Sequence, residues 1–177
     1  YLGIGLDPTD KTFWILGQYV TSAGVWGTWV GNVASAAKYL VTSSNSNPSA
    51  GSAVTITAQL ADANNNPVSA AGKTVTWSST NGGSFGTATS TPNASGQATV
   101  AFTTSTAAGT GHTVTATDGD GLTGTSGSIT TVAGAPTQLA FTTQPAGATK
   151  GNPFGTQPGV EIQDANGNRV TTATNTV

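Results

Sequence analysis

Two stretches of the chain alternate strictly between apolar and polar positions. In Ala53–Leu60, the residues Val54, Ile56, Ala58 and Leu60 alternate with Thr55, Thr57 and Gln59; in Lys73–Ser79, Val75 and Trp77 alternate with Thr74, Thr76 and Ser78. A period of two marks a strand with one buried and one wet face. Asp62, Asn64, Asn65, Asn66 and Pro67 lie between the two stretches. Asx side chains bond nearby main-chain amides and Pro cannot join a ladder, so this cluster predicts a turn. Trp77 is in phase with Val75, which places its ring between two packed sheets. Further strands are predicted at Tyr39–Ser43, at Gly83–Phe85 with a continuation through Thr91, and at Gly96–Thr104, His112–Asp118 and Gly127–Val132. Clusters rich in Gly, Asn, Asp, Pro and Ala separate them. Seven short strands at this spacing predict a β-sandwich. Its expected core anchors are Trp77, Val75, Phe102, Val100 and Ile56, with Ala98, Val114 and Ala116 on the same inward faces. No segment carries a helical period.

The pattern changes at both ends. Residues 1–37 hold three of the four Trp and two of the three Tyr, and read as three strands, Tyr1–Leu6, Thr12–Val20 and Val25–Val33, in an antiparallel meander. After Gly134-Ala135-Pro136 the pattern restarts: Leu139-Ala140-Phe141 reads as a strand, and Val160-Glu161-Ile162-Gln163 runs into Asp164-Ala165-Asn166-Gly167-Asn168-Arg169-Val170. That phrase repeats Asp62-Ala63-Asn64-Asn65-Asn66-Pro67-Val68 at an offset of 102 residues (164 − 62), about one sandwich domain. The expected organisation is therefore all-β: a meander over 1–37, an Ig-like sandwich over 38–134, and the first half of a second over 135–177. The two end pieces are expected to leave strand edges and apolar faces uncovered, among them Phe141, Val160 and Ile162. Either a longer parent chain or strand addition from a neighbouring copy would complete them, the latter building a filament.

Composition narrows the function classes. Only 7% of the 177 residues are charged and the net charge is −2, which excludes a nucleic-acid surface or a polybasic membrane patch. There is no Cys, hence no disulfide framework. No apolar run reaches the roughly 20 residues that span a bilayer. The polar surface consists of Thr, Ser, Asn and Gln, which suits an extracellular or cell-surface setting.

The residues that could carry chemistry are few. His112 is the single His, there is no Cys nucleophile or G-x-S-x-G elbow, and Arg169 is the single Arg. His112 reads as a loop or strand-end residue. Asp118 and Asp120 stand two apart across a Gly-rich turn, and Asp62, Asn64 and Asn66 offer oxygens at alternate positions. Ca²⁺ takes six to eight oxygens, and neither loop has a closing Glu, so these residues read first as turn formers. No cofactor is expected. Asn93-Ala94-Ser95 is a glycosylation sequon in an expected loop. Trp14, Tyr19, Trp26 and Trp29 read as packing or interface anchors, with a sugar-stacking platform as the alternative.

Two stretches resemble known families. DPTDKTFWILGQYV…VWGTWVGNV resembles the last blade of sialidase-like β-propellers. Residues 38–134 resemble a bacterial Ig-like domain of the invasin/intimin group, on Asp62-Ala63-Asn64…Pro67-Val68, Val75-Thr76-Trp77, Asn81-Gly82-Gly83-Ser84-Phe85, Asn93-Ala94-Ser95-Gly96-Gln97-Ala98-Thr99-Val100 and Gly109…Val114-Thr115-Ala116. The second resemblance implies a stalk or adhesin module and not an enzyme. The function expected is a structural or adhesive module of a bacterial extracellular or surface protein. Its partners would be copies of itself, neighbouring domains or cell-surface glycans, with no nucleic acid and no membrane insertion. The alternatives are an accessory C-terminal region of a secreted glycoside hydrolase and a carbohydrate-binding module.

Overall fold

Alternating β-branched and Thr-rich segments become strands because their apolar side chains share one face of the pleat. A computed structural model of the chain describes residues 3–6, 13–22, 25–33, 35–69 and 73–174, the first three spans by strand course alone. Every regular element among the described residues is a strand. Near the N-terminus, β1 (Gly3–Leu6), β2 (Phe13–Ser22) and β3 (Val25–Val33) form an antiparallel three-stranded sheet in chain order. The strands β4 (Lys38–Ser43), β5 (Ala53–Ala61), β6 (Val75–Ser79), β7 (Ser84–Phe85), β8 (Thr89–Ser90) and β9 (Gln97–Thr103) come next. They are followed by β10 (Gly111–His112), β11 (Val114–Asp118), β12 (Thr123–Thr125) and β13 (Ile129–Thr130). Last come β14 (Gln138–Thr143) and β15 (Gly159–Gln163).

Strands β4 to β12 build two four-stranded sheets, in the orders β4-β5-β9-β7 and β12-β11-β6-β8, with β10 and β13 paired beside them. This is an Ig-like β-sandwich. Its core joins Val54, Ile56, Ala58, Leu60, Ala98, Val100 and Phe102 from one sheet to Val75, Trp77, Val114 and Ala116 from the other, with Ile129 alongside. Trp77 is 5% exposed. Its indole Nε1 donates to Ser90 Oγ at 2.9 Å, and Ser90 Oγ donates to Thr99 O at 2.8 Å, so one hydroxyl relays between the two sheets. Tyr39 makes a second inter-sheet bond, its hydroxyl donating to Asp118 Oδ2 at 3.1 Å. Burial beside that carboxylate pushes the Tyr39 phenol up to about 12. At Gly124 the sheets approach so closely that a Cβ would lie 1.9 Å from Tyr39 O, which admits no side chain.

One five-residue turn recurs four times. At Asp62, Asn93, Asp118 and Asp164, the side-chain Oδ1 accepts the amides of the residues two and four ahead, at 2.8–3.1 Å. The residue three ahead is in the left-handed region each time: Asn65 at φ 68°, Gly96 at 74°, Gly121 at 82° and Gly167 at 81°. Only Gly, or an Asx residue at some cost, adopts that conformation readily.

The structure differs from the sequence reading in three places. The expected strand His112–Asp118 is divided, His112 pairing in β10 with β13 and Val114–Asp118 forming β11 beside β6 and β12. The expected strand from Gly83 through Thr91 is two short strands in different sheets: β7 pairs with β9 and β8 pairs with β6. The edge strand β12 has no counterpart in the apolar pattern. Its residues are Thr, Gly and Thr, and it is held by its ladder to β11 and by Thr115–Thr125 and Thr117–Thr123 hydroxyl bonds.

Replacing Trp77 by Ala removes the largest inter-sheet side chain and the Ser90 relay. Urea unfolding is expected to show a loss of about 3–5 kcal/mol, as for other buried large aromatics. A loss under about 1 kcal/mol would place the indole outside the core.

Candidate functional site

The polar chemistry with the longest reach lies where the sandwich meets β14 and β15. Those two strands pair Gln138↔Gln163, Leu139↔Ile162, Ala140↔Glu161 and Phe141↔Val160. The ladder β4–β5 pairs Lys38↔Ala61, Tyr39↔Leu60, Leu40↔Gln59 and Val41↔Ala58, which is the same register. The turn at Asp164 therefore stands to β15 as the turn at Asp62 stands to β5.

Asp164 is buried and fully used. Besides the turn amides on Oδ1, its Oδ2 accepts Gly134 N at 2.8 Å and Asn168 Nδ2 at 2.9 Å. Asn168 donates a second time, to Thr106 O at 2.8 Å, and its Oδ1 accepts Ala108 N at 2.8 Å. Asn166 Nδ2 donates to Ala50 O at 3.0 Å. Two carboxamides thus grip three main-chain groups at the far end of the sandwich, and the carboxylate grips the connecting segment. Gly51, beside this bond, is in the left-handed region at φ 78°, which a side chain rarely adopts. The hydrogen bond from Asn168 and, after it, that from Gly134 N hold the Asp164 carboxyl at about 2, below the usual carboxylate value of 3.8.

The gripped loop is braced from the core. His112 is fully buried, edge-on to Phe102 with centroids 5.4 Å apart. Its Nδ1 lies 3.0 Å from Thr80 O, to which it can only donate, and its Nε2 lies 3.3 Å from Ser105 N, from which it accepts. Thr131 Oγ1 accepts Thr110 N at 2.9 Å and donates to Ala107 O at 2.7 Å. The loop 105–110 is therefore pinned on both sides before Asn168 takes hold. The alternation of Val114 and Ala116 extends back to His112, which is the signal for its burial.

The carboxylates weighed as calcium ligands have other partners. Asp62 accepts the amides of Asn64 and Asn66 and the Asn66 side chain, and these bonds hold its carboxyl below the ordinary range. Asp118 accepts Asp120 N, Leu122 N and the Tyr39 hydroxyl. Asp120 pairs with Lys73 at the surface. Among the described residues no three His, Cys, Asp or Glu gather as a metal site. Asn93 spends Oδ1 on its own turn and is exposed. The register sets Trp26 opposite Val20, Trp29 opposite Gly17 and Trp14 opposite Asn32, while the side chains of Trp14, Tyr19, Trp26 and Trp29 lie outside the described residues.

No protein-family model matches the chain, and a search of curated proteins finds no match. Solved structures do match. FdeC, an Escherichia coli adhesin, aligns over 91% of this chain and 52% of its own at 18% identity, with a TM-score of 0.52, a likeness of fold. The D00-D0 domain of intimin aligns over 68% of this chain and 64% of its own at 16% identity and TM-score 0.48. A glycosyl hydrolase family 2 member from Bacteroides cellulosilyticus aligns over 68% and 17% at 14% identity and TM-score 0.49. The chain thus spans less than two thirds of each.

A folded-state pKa below the unfolded one makes the Asp164 bonds stabilising above the unfolded value near 3.8 and withdraws them as pH falls through about 2. The Gly134 amide proton, followed by NMR, is expected to titrate with a midpoint near 2 and to stop titrating in Asp164→Asn. A midpoint near 3.8 would mean the carboxylate does not hold the connecting segment.

Proposed function

We propose that this chain is a non-enzymatic spacer and adhesive segment of a bacterial extracellular surface protein, built to carry tension along its length. One observation carries this reading. The chain enters the sandwich at Lys38, paired with Ala61, and leaves near Val132, which pairs in parallel with Ser49 at the opposite end. Three main-chain bonds join the two segments there: Thr130 N to Ser46 O at 2.8 Å, Val132 N to Pro48 O at 2.9 Å and Ala50 N to Val132 O at 2.8 Å. Both segments run toward the exit. A pull on the two ends shears these bonds together instead of opening them one at a time. An Ig-like fold shared with an adhesin agrees with a surface setting but does not identify a receptor.

Val132→Pro deletes one of the three bonds at a partly exposed position. Single-molecule pulling from the two ends is expected to show a clearly lower rupture force than the wild type, while urea stability falls by only about 1 kcal/mol. Equal rupture forces would remove the reading of a tension-bearing spacer.

Self-association is the finer part of the proposal. Leu139, Phe141 and Val160 of the β14–β15 sheet are 59%, 59% and 41% exposed, whereas their register equivalents Tyr39, Val41 and Ala58 are buried in the sandwich. Such a face favours contact with another strand layer. Sedimentation is expected to show concentration-dependent association that Phe141→Asp abolishes; a monomer at all concentrations would exclude it.

A further inference from the structure

The turns at Asp62 and Asp164 are the same device at successive positions in the chain, yet among the described residues their partners differ. At Asp164, the two Asn side chains that follow reach out of the turn to main-chain groups of the preceding unit. At Asp62, the equivalents Asn64 and Asn66 are exposed. Asn66 donates to Asp62 Oδ2 at 3.0 Å, as Asn168 does to Asp164. The bonds that match Asn168 to Thr106 O and Ala108 N, and Asn166 to Ala50 O, have no counterpart within the described sandwich.

We propose that Asn64 and Asn66 clamp the near end of the three-stranded sheet, where β2 begins and β3 finishes. Chain geometry supplies the reach. Ala37 N is bonded to Ala61 O at 2.8 Å, directly beside the Asp62 turn. The path from Val33 to Ala37 is four residues, at most about 14 Å when fully extended. Phe13 pairs with Val33, so the first residue of β2 shares that end. The chemistry also matches. Ends of antiparallel strands present main-chain N–H and C=O groups without ladder partners, the same kinds of group as Ala50 O, Thr106 O and Ala108 N. A carboxamide can donate and accept at once, so it suits such a mixed target, and a carboxylate or ammonium does not. The inference rests on the repeated turn and the short connection, and stands or falls apart from the spacer reading.

The test uses the whole 177-residue chain, ¹⁵N-labelled, with Asn64→Ala. That side chain closes no bond of its own turn, whose amide acceptor is Asp62. In the wild type, β1–β3 and the sandwich are expected to share one rotational correlation time. In Asn64→Ala the β1–β3 amides are expected to tumble faster than the sandwich, and amides of residues 13–16 and 30–33 to exchange about tenfold faster, the effect of losing one hydrogen bond. Sandwich amides should keep their wild-type exchange, showing that the fold survives. Asn166→Ala is expected to release β14–β15 and leave β1–β3 unchanged. Independent tumbling of β1–β3 in the wild type, unchanged dynamics in Asn64→Ala, or release of β1–β3 by Asn166→Ala would each overturn the proposal.

Discussion

A side-chain oxygen that accepts two main-chain amides, two and four residues ahead, is the constraint on which the rest of this structure depends. It closes the turns at Asp62, Asn93, Asp118 and Asp164. The chain has no Cys to form a disulfide and few charges to form ion pairs. The turn satisfies amides that a tight reversal would leave without partners, and it fixes the residue count between strands. At Asp118 the turn sets the register of β11 with β12, and at Asp62 and Asp164 it closes onto the bridges Ala61–Pro67 and Gln163–Arg169. Because the strand period is two, a slip of one residue would send Ile56 and Val100 to water and Thr57 and Thr99 inward. The inter-sheet contacts of Trp77 and Phe102 depend on the same phase.

The sandwich was legible wherever its strands are half-buried, since Val54 to Leu60 and Ala98 to Phe102 show the pleat directly in residue type. Legibility failed where tertiary contacts replace alternation. The strand Thr123–Thr125 is an edge whose inner position, Gly124, faces the backbone of Tyr39, so it carries no apolar residue. The segment 83–91 contains a crossing from one sheet to the other, and a crossing has no period. The polar junction was harder still. Asp62, Asn64, Asp118 and Asp120 attract attention as oxygen donors, but the same composition serves a turn that consumes the oxygens itself. The repeat of DANNN as DANGN was visible; that Asn166 and Asn168 reach Ala50, Thr106 and Ala108 was not, because main-chain acceptors leave no mark on a sequence.

The polar groups are also distributed with direction. The turns at Asp62, Asn93 and Asp118 lie at the end of the sandwich where β4 begins, β5 and β11 finish and β9 starts. The loops 48–51 and 105–110 lie at the other end, beside the exit at Val132. A unit with Asx turns at one end and carbonyls and amides of open loops at the other is complementary head to tail. Asn is well suited to joining such ends. The exposed pair Lys73–Asp120 gains little in water and is weakened by salt. Carboxamide bonds to main-chain groups carry no net charge, so ionic strength scarcely touches them. With 7% charged residues the chain has few ion pairs to join its units, and the Asn166–Asn168 grip on the sandwich is a neutral joint of this kind.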